Sequence, residues 1–327
     1  MRAAATMLDA VFLIQPHALL LDLAGPAEAL RLANQALQRR GRPAAFRLRY
    51  VAAQPRAVTS VDLMVGGMEP LPQALAPDSW LFLLGSRPAR PGEAEAGVAQ
   101  RADSLRTQRW LHQAGSRLLA GGGRVVCICS GALLAAAAGL LAPGRRCTTH
   151  HELLDELRRC ASGADVVDNR VFVLDGALAT SAGITAGIDL TLHLVQAHCG
   201  DAVAASVART MVVYLRRTPQ DPELSPLLAH RQHLHPAVHR VQDAICARPA
   251  ADWSLQRMAA VAHVTPRHLG RLFGIHAGTT PLRYLQSIRL EIAERARQHG
   301  ASRAVAAQRA GFSSEQQWRR TRRALSA

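Results

Sequence analysis

Two helix-turn-helix patterns stand in tandem between about Ser254 and Leu325, and no other feature restricts the possible folds of this chain as much. The first reads SLQRMAAVAHVTPRHLGRLF. Ser254 is placed to cap a helix whose apolar positions Leu255, Met258, Ala259 and Ala262 recur at helical spacing. A short turn through His263 and Val264 follows. Thr265 is placed to cap a second helix, with Pro266 at its first position, where a missing N–H costs nothing. In that helix Leu269, Leu272 and Phe273 are predicted to face inward. Arg267, His268 and Arg271 share the other face, the two arginines one turn apart. A short amphipathic helix with an arginine face, entered through a tight turn, suits the major groove of duplex DNA.

The second pattern is SRAVAAQRAGFSSEQQWRRTRRAL. Ser314 and Gln317 fit a capping box, opening a helix expected to bury Trp318 and Leu325 and to expose Arg319, Arg320 and Arg323. Between the two patterns, TTPLRYLQSIRLEIAERARQ predicts one longer helix started by Thr280 and Pro281, with Leu285, Ile288 and Ile292 as its buried stripe. The pieces PRHLGRLF, GTTPLRYLQSIRLE and AGFSS, in this order, resemble the AraC/XylS class of bacterial transcription regulators over roughly the last ninety residues. The resemblance implies an all-α domain that holds double-stranded promoter DNA. It assigns the contacts to Arg267, His268 and Arg271 in the first unit and to Ser314, Gln316, Gln317, Arg319 and Arg320 in the second. The second unit departs from the family. Thr321 or Arg322 stands where a phenylalanine is usual, and Arg303 and Ala306 stand where larger apolar residues pack. The spacing from Arg289 to Gly311 is one residue short, and the chain stops at Ala327 before the family's final segment. The first unit is therefore expected to dominate specific contact, and the second to be marginal.

Charge supports the placement. From His230 to Ala327 there are 16 arginines against 5 acidic residues, whereas the rest of the chain carries 23 basic and 19 acidic residues. Such an excess on one small helical region is the footprint of phosphate-backbone binding. A basic membrane-surface helix would need a broad apolar face with aromatic anchors, which this segment lacks. All 39 basic residues of the chain are arginine. No apolar run reaches the length of a membrane span, and the stretch near Val11–Ile14 is too short for a signal peptide. Cysteines 127, 129, 147, 160, 199 and 246 show neither metal-ligand spacing nor a secreted disulfide framework, so the expected home is the cytoplasm. No cofactor or metal is expected. His230, His233 and His235 lie in a Pro-rich stretch, residues 216–236, read as an exposed semi-extended linker.

Residues 1–215 alternate short apolar strands with amphipathic helices. The candidate strands are DAVFLIQ, FRLRYVAA, WLFLLG, RVVCIC, RVFVLD and ALATS, and the helices start near Pro26, Asp103, Ser130, Thr149 and Ile184. This predicts a mainly parallel, flavodoxin-like α/β sheet with helices on both faces, followed after the linker by the all-α domain at 237–327. No G-x-G-x-x-G follows the first strand, and no P-loop is present.

In RVVCICSGALLAAAAGLL a buried strand ends at Cys129 and a helix starts at once with Ser130, Gly131 and Ala132. A thiol at such a turn is expected to stand exposed above the sheet, beside helix N-terminal amides that lower its pKa. Together with LLLDLAGPAEAL, TTHHELLDEL and LATSAGITAGIDLTLHLV, this junction resembles the PfpI/ThiJ-like branch of the class I glutamine amidotransferase-like superfamily. Over nearly its whole length the chain is similar to GlxA-type regulators, which fuse such a domain to an AraC-type one. By motif position the resemblance places Cys129, His150 and Asp22 where catalytic relatives carry nucleophile, base and acid. Glu28, Ser130, Gly131, Ser181 and Gly183 join them as pocket residues, while His151 is expected to be exposed. Two readings stay open: a PfpI/ThiJ-like cysteine-dependent hydrolase or glyoxalase-type enzyme with a degenerate tail, or a pocket that binds a small effector. The fusion favours the second. It implies a homodimeric activator, controlled by a nitrogen-containing or other organic metabolite, that works with RNA polymerase.

Overall fold

A computed structural model describes residues 7–87, 98–183, 185–213, 230–231, 233–298 and 300–326. The chain divides into two compact units, Met1–Glu223 and Leu224–Ala327. Most of the stretch read as a linker, 216–229 and 232, lies outside the described residues.

The first unit is built on a seven-stranded sheet in the order β10-β11-β7-β6-β1-β2-β5. Its strands are β1 (Leu8–Leu13), β2 (Phe46–Ala52), β5 (Glu69–Pro70), β6 (Trp80–Leu83), β7 (Arg124–Ile128), β10 (Phe172–Asp175) and β11 (Leu178–Ser181). All neighbours pair in parallel except β10, which runs antiparallel to β11. The five central parallel strands, read across, follow the flavodoxin order, which reverses beside β1. A two-stranded ribbon, β3 (Arg56–Val58) with β4 (Met64–Gly66), follows β2. A second small pair joins β8 (Arg146–Cys147) to β9 (Asp165–Val166).

Alternation along the central strands divides the core into two layers. Ala10, Phe12, Phe82, Val126 and Ile128 pack with α1 (Leu20–Gln38), α5 (Ala186–Cys199) and α6 (Asp201–Met211). Val11, Leu13, Leu81, Leu83, Val125 and Cys127 pack on the other face with α2 (Val98–Gly121), α3 (Gly131–Ala137) and α4 (Leu154–Cys160). Strands covered on both faces are the reason the sequence shows near-continuous apolar runs there. The helix expected from Pro26 in fact starts six residues earlier at Leu20 and carries Pro26 in its interior. Burial of Asp22, Pro26, Leu30, Ala33 and Leu37 on one stripe outweighs the hydrogen bond that proline forfeits. α2 likewise begins at Val98, ahead of Asp103.

The second unit is helical: α7 (Pro236–Ala247), α8 (Leu255–Ala262), α9 (Pro266–Ala277), α10 (Pro281–Gln298), α11 (Arg303–Arg309) and α12 (Glu315–Ser326). α8, α9 and α10 close around Met258, Leu269, Phe273, Tyr284 and Ile288. α11 and α12 close around a smaller, alanine-rich group: Ala306, Ala307 and Ala310 with Phe312 and Trp318. Thr321 is buried at 8% exposure one turn after Trp318, while Leu325, expected to be buried, is only half-buried near the C-terminal end of α12. Arg289, among the arginines of the basic excess, is structural. Its guanidinium donates to the carbonyls of Pro249 (2.9 Å) and Ala251 (2.7 Å).

Both expected N-caps of the first helix-turn-helix are formed. Ser254 Oγ accepts the Arg257 N–H (3.2 Å) and Thr265 Oγ1 accepts the His268 N–H (3.3 Å). Ser254→Ala and Thr265→Ala are each expected to lower stability by about 1 kcal/mol, read as a fall in the unfolding midpoint of the helical unit. Thr265→Ala alone is also expected to weaken DNA binding, because it loosens the start of the reading helix.

Candidate functional site

The turn after β7 carries Cys129 at φ 53°, a left-handed conformation uncommon for a residue with a side chain. Its N–H donates to the Ser181 carbonyl (3.2 Å), and its own carbonyl accepts from the Thr149 hydroxyl (2.8 Å). Gly131, which opens α3, sits so close to β6 that a methyl group on it would lie 2.1 Å from the Leu83 carbonyl oxygen. Only glycine lets the helix start there.

Asp22, Cys129 and Ser130 come together around Gly85. A methyl group on Gly85 would lie 2.7 Å from Asp22 Oδ2 and 3.0 Å from both Cys129 Cβ and Ser130 Oγ. The Gly85 N–H donates to Asp22 Oδ2 (3.0 Å), and the Ser86 N–H donates to Ser130 Oγ (2.9 Å). This group lies at the carboxyl ends of β6 and β7, beside the point where strand order reverses, where open α/β sheets bind ligands. Asp22 is fully buried, and its Oδ1 has no hydrogen-bond partner. Burial pushes its carboxyl up to about 7, against the smaller opposing effect of the Gly85 N–H.

Several expectations need correction. Cys129 does not stand exposed: it is 5% exposed, and α3, at seven residues, is too short to supply much of a dipole. His150 caps a single 3-10 turn, His151–Leu153, where its Nδ1 accepts the Glu152 N–H (3.4 Å). Its ring lies 4.3 Å from that of His151, and both are half-buried, so His151 is not simply exposed. Thr149, one residue earlier, is the group tied to the elbow. Glu28 points outward and pairs with Arg31 at 2.7 Å. Ser181 is fully buried with its Oγ unpartnered, and the Gly183 carbonyl accepts the Ala186 N–H (2.8 Å) that opens α5. Gly85, Ser86 and Thr149 also belong to the group, and their residue types alone do not mark them in the sequence. Only the glycine ending WLFLLG hinted at them.

In the second unit, α9 follows a left-handed turn at His263, φ 57°. Arg267 and Arg271 are exposed, and Arg271 donates to His268 Nδ1 at 3.3 Å. In α12 the Gln317 N–H donates to Ser314 Oγ (3.2 Å), while Gln317 Oε1 accepts from the Ser313 N–H (2.8 Å), one residue beyond the expected box. Gln316 and Arg320 are exposed; Arg319 pairs with Glu315 at 2.9 Å. His233 and His235, expected on an exposed linker, are half-buried. They lie against the rings of His239 (4.4 Å) and His276 (4.5 Å) respectively. Among the described residues no helix is long and apolar enough to cross a membrane.

Residues 97–197 match the DJ-1/PfpI family, and residues 258–326 match a helix-turn-helix domain model. The chain is 27% identical over 283 residues to the HTH-type transcriptional regulator GbdR of Pseudomonas aeruginosa, covering 85% of this chain and 71% of the relative. It is 34% identical over 174 residues to the HTH-type transcriptional regulator GlxA of Rhizobium meliloti, covering 53% of this chain and 52% of the relative. It is also 43% identical over 101 residues to an isonitrile hydratase of Pseudomonas putida, covering 30% of this chain and 40% of the relative.

Proposed function

We propose, from the premise that this chain belongs to the AraC-type helix-turn-helix transcriptional regulators that carry a DJ-1/PfpI domain, that its first unit binds a small organic effector and thereby sets how its second unit holds promoter DNA. The observation that carries the reading is the exposed face of α9. A capped helix behind a tight turn presents Arg267 and Arg271 one turn apart, in the only strongly basic part of the chain. In this reading Arg267, His268 and Arg271 contact bases or phosphates, and Ser314, Gln316, Gln317, Arg319 and Arg320 make a second, weaker set of contacts. The protein acts in the cytoplasm as a homodimer, and as an activator it engages RNA polymerase.

Turnover at Cys129 is the weaker reading. A hydratase is among the relatives over part of the chain, but the near-complete burial of Cys129 leaves a substrate carbonyl little access to the sulfur. Asp22, Ser130, Gly131 and Ser181 then hold the turn in shape, while His150 caps its own 3-10 turn and the Gly183 carbonyl opens α5; Glu28, on the surface, is not part of it.

A genome-wide binding map compared with the transcript profile of a deletion strain tests the function. Occupancy is expected at a small set of promoters whose transcripts fall in the deletion strain. Occupancy no different from random duplex would remove the reading, and rising transcripts would reverse the sign of regulation.

A further inference from the structure

The first unit contains a cavity of about 460 Å³ whose lining shares no residue with the group around Gly85. It opens beyond the carboxyl ends of β1 and β2, where parallel α/β sheets place ligands, and it is walled by β3, α2 and α3. Ile14, Ala52, Ala57 and Leu134 give it an apolar body. Its volume is that of roughly fifteen liquid waters at about 30 Å³ each, within the range of small-molecule sites. Among the described residues two charged groups line it, Arg56 on β3 and Asp103 on α2. Asp103 Oδ2 accepts from Gln54 Nε2 at 2.7 Å. Arg56 makes no side-chain hydrogen bond or ion pair among the described residues, although other arginines of this unit, such as Arg31, Arg47, Arg49 and Arg158, are paired with carboxylates.

We infer that this cavity, rather than the elbow at Cys129, is the effector site, and that it takes a monocarboxylate with an apolar body. The inference rests on the reading that the first unit senses a metabolite. An unpaired guanidinium at the edge of an apolar cavity offers two parallel N–H donors that match a carboxylate. The apolar walls hold the remainder of the molecule. Asp103 opposes a second carboxylate, so dicarboxylates are disfavoured. A ligand seated here touches both α2 and α3, and α3 begins at the elbow. Occupancy can therefore change the packing of these helices on the sheet.

The test uses the full chain, with hexanoate, phenylacetate, adipate and hexanamide as probes, read by calorimetric titration and by thermal unfolding. Hexanoate and phenylacetate are expected to bind and raise the unfolding midpoint by mass action. Hexanamide and adipate are expected to bind at least about tenfold more weakly. Arg56→Ala should cost at least about tenfold in carboxylate affinity. Ala137→Trp, which places an indole into the cavity from an exposed position on α3, should abolish binding while the unliganded midpoint stays near wild type. Absence of binding by both monocarboxylates overturns the assignment, as does binding that survives both substitutions. Binding lost in Cys129→Ser but kept in Ala137→Trp would move the effector to the elbow and leave the sensing reading standing. Carboxylate binding of the expected pattern with no effect on promoter affinity would keep the site and remove its sensing role.

Discussion

Replacing Arg267 and Arg271 together with alanine is expected to weaken promoter binding by about a hundredfold or more, because each is placed for a contact of about 1–3 kcal/mol. The salt dependence should fall with it, by up to about 0.9 in slope for each arginine that meets a phosphate. Fluorescence anisotropy against a mapped promoter, repeated across salt concentrations, reads both quantities. The prediction singles out the first unit for a structural reason. Arg267 has no ion pair among the described residues, and Arg271 donates only to the neighbouring His268. In the second unit Arg319 is held by Glu315, Arg303 lies 3.8 Å from the same carboxylate, and Arg322 is held by Glu294 at 3.5 Å. Those arginines would have to leave a carboxylate before they could serve a phosphate. Alanine at Arg319 is therefore expected to cost less than about tenfold, the size of one weak contact. Both sets of positions are exposed, so circular dichroism should show the fold intact in every variant. Unchanged affinity and slope in the double variant would mean that α9 does not read DNA in this protein.

The parts of the molecule visible in the sequence are those that repeat locally. The strands DAVFLIQ, WLFLLG, RVVCIC and ALATS stand out because burial on both faces makes each one an apolar run. Ser254 and Thr265 are recognisable as caps because capping is decided within four residues. The start of α1 was misplaced because proline is a good first residue of a helix, and nothing local reveals that the preceding turn is buried against the sheet. The group at the elbow was only half visible. Asp22, Cys129 and Ser130 carry chemistry in their side chains, but what brings them together is Gly85, more than forty positions from Cys129. The burial of Cys129 comes from the same long-range packing, so no pattern around RVVCICSGALL could show it. His150 was assigned by motif position, yet the chain gives the tie to the elbow to Thr149, since a one-residue difference in a turn is invisible to spacing.

Asp22→Asn is expected to stabilise the first unit at pH 8 by about 2–4 kcal/mol and to leave it little changed near pH 4. Asp22 is wholly enclosed, with one hydrogen bond to Oδ2 and none to Oδ1, so the folded protein holds its proton up to about pH 7. The unfolded chain releases that proton near pH 3.9. Because the folded pKa lies above the unfolded one, the folded state binds the proton more tightly. Stability from this group is fully present below about pH 4, is lost progressively as pH rises towards 7, and is constant above that. A gap of about three pH units corresponds to about 4 kcal/mol at most, since relaxation around a buried charge reduces it. Asparagine keeps an acceptor for the Gly85 N–H and carries no charge at any pH, so the penalty disappears in the variant. Histidines 193 and 198, which burial holds below their usual pKa, add stability as pH rises, opposite in sign. They contribute equally to both proteins and cancel in the difference. Urea unfolding of wild type and variant at several pH values between 4 and 8, followed through the first unit's transition, gives that difference directly. Curves separated by the same amount at every pH would show that Asp22 is ionised throughout, and with it the picture of a protonated acid enclosed beside the elbow would fail.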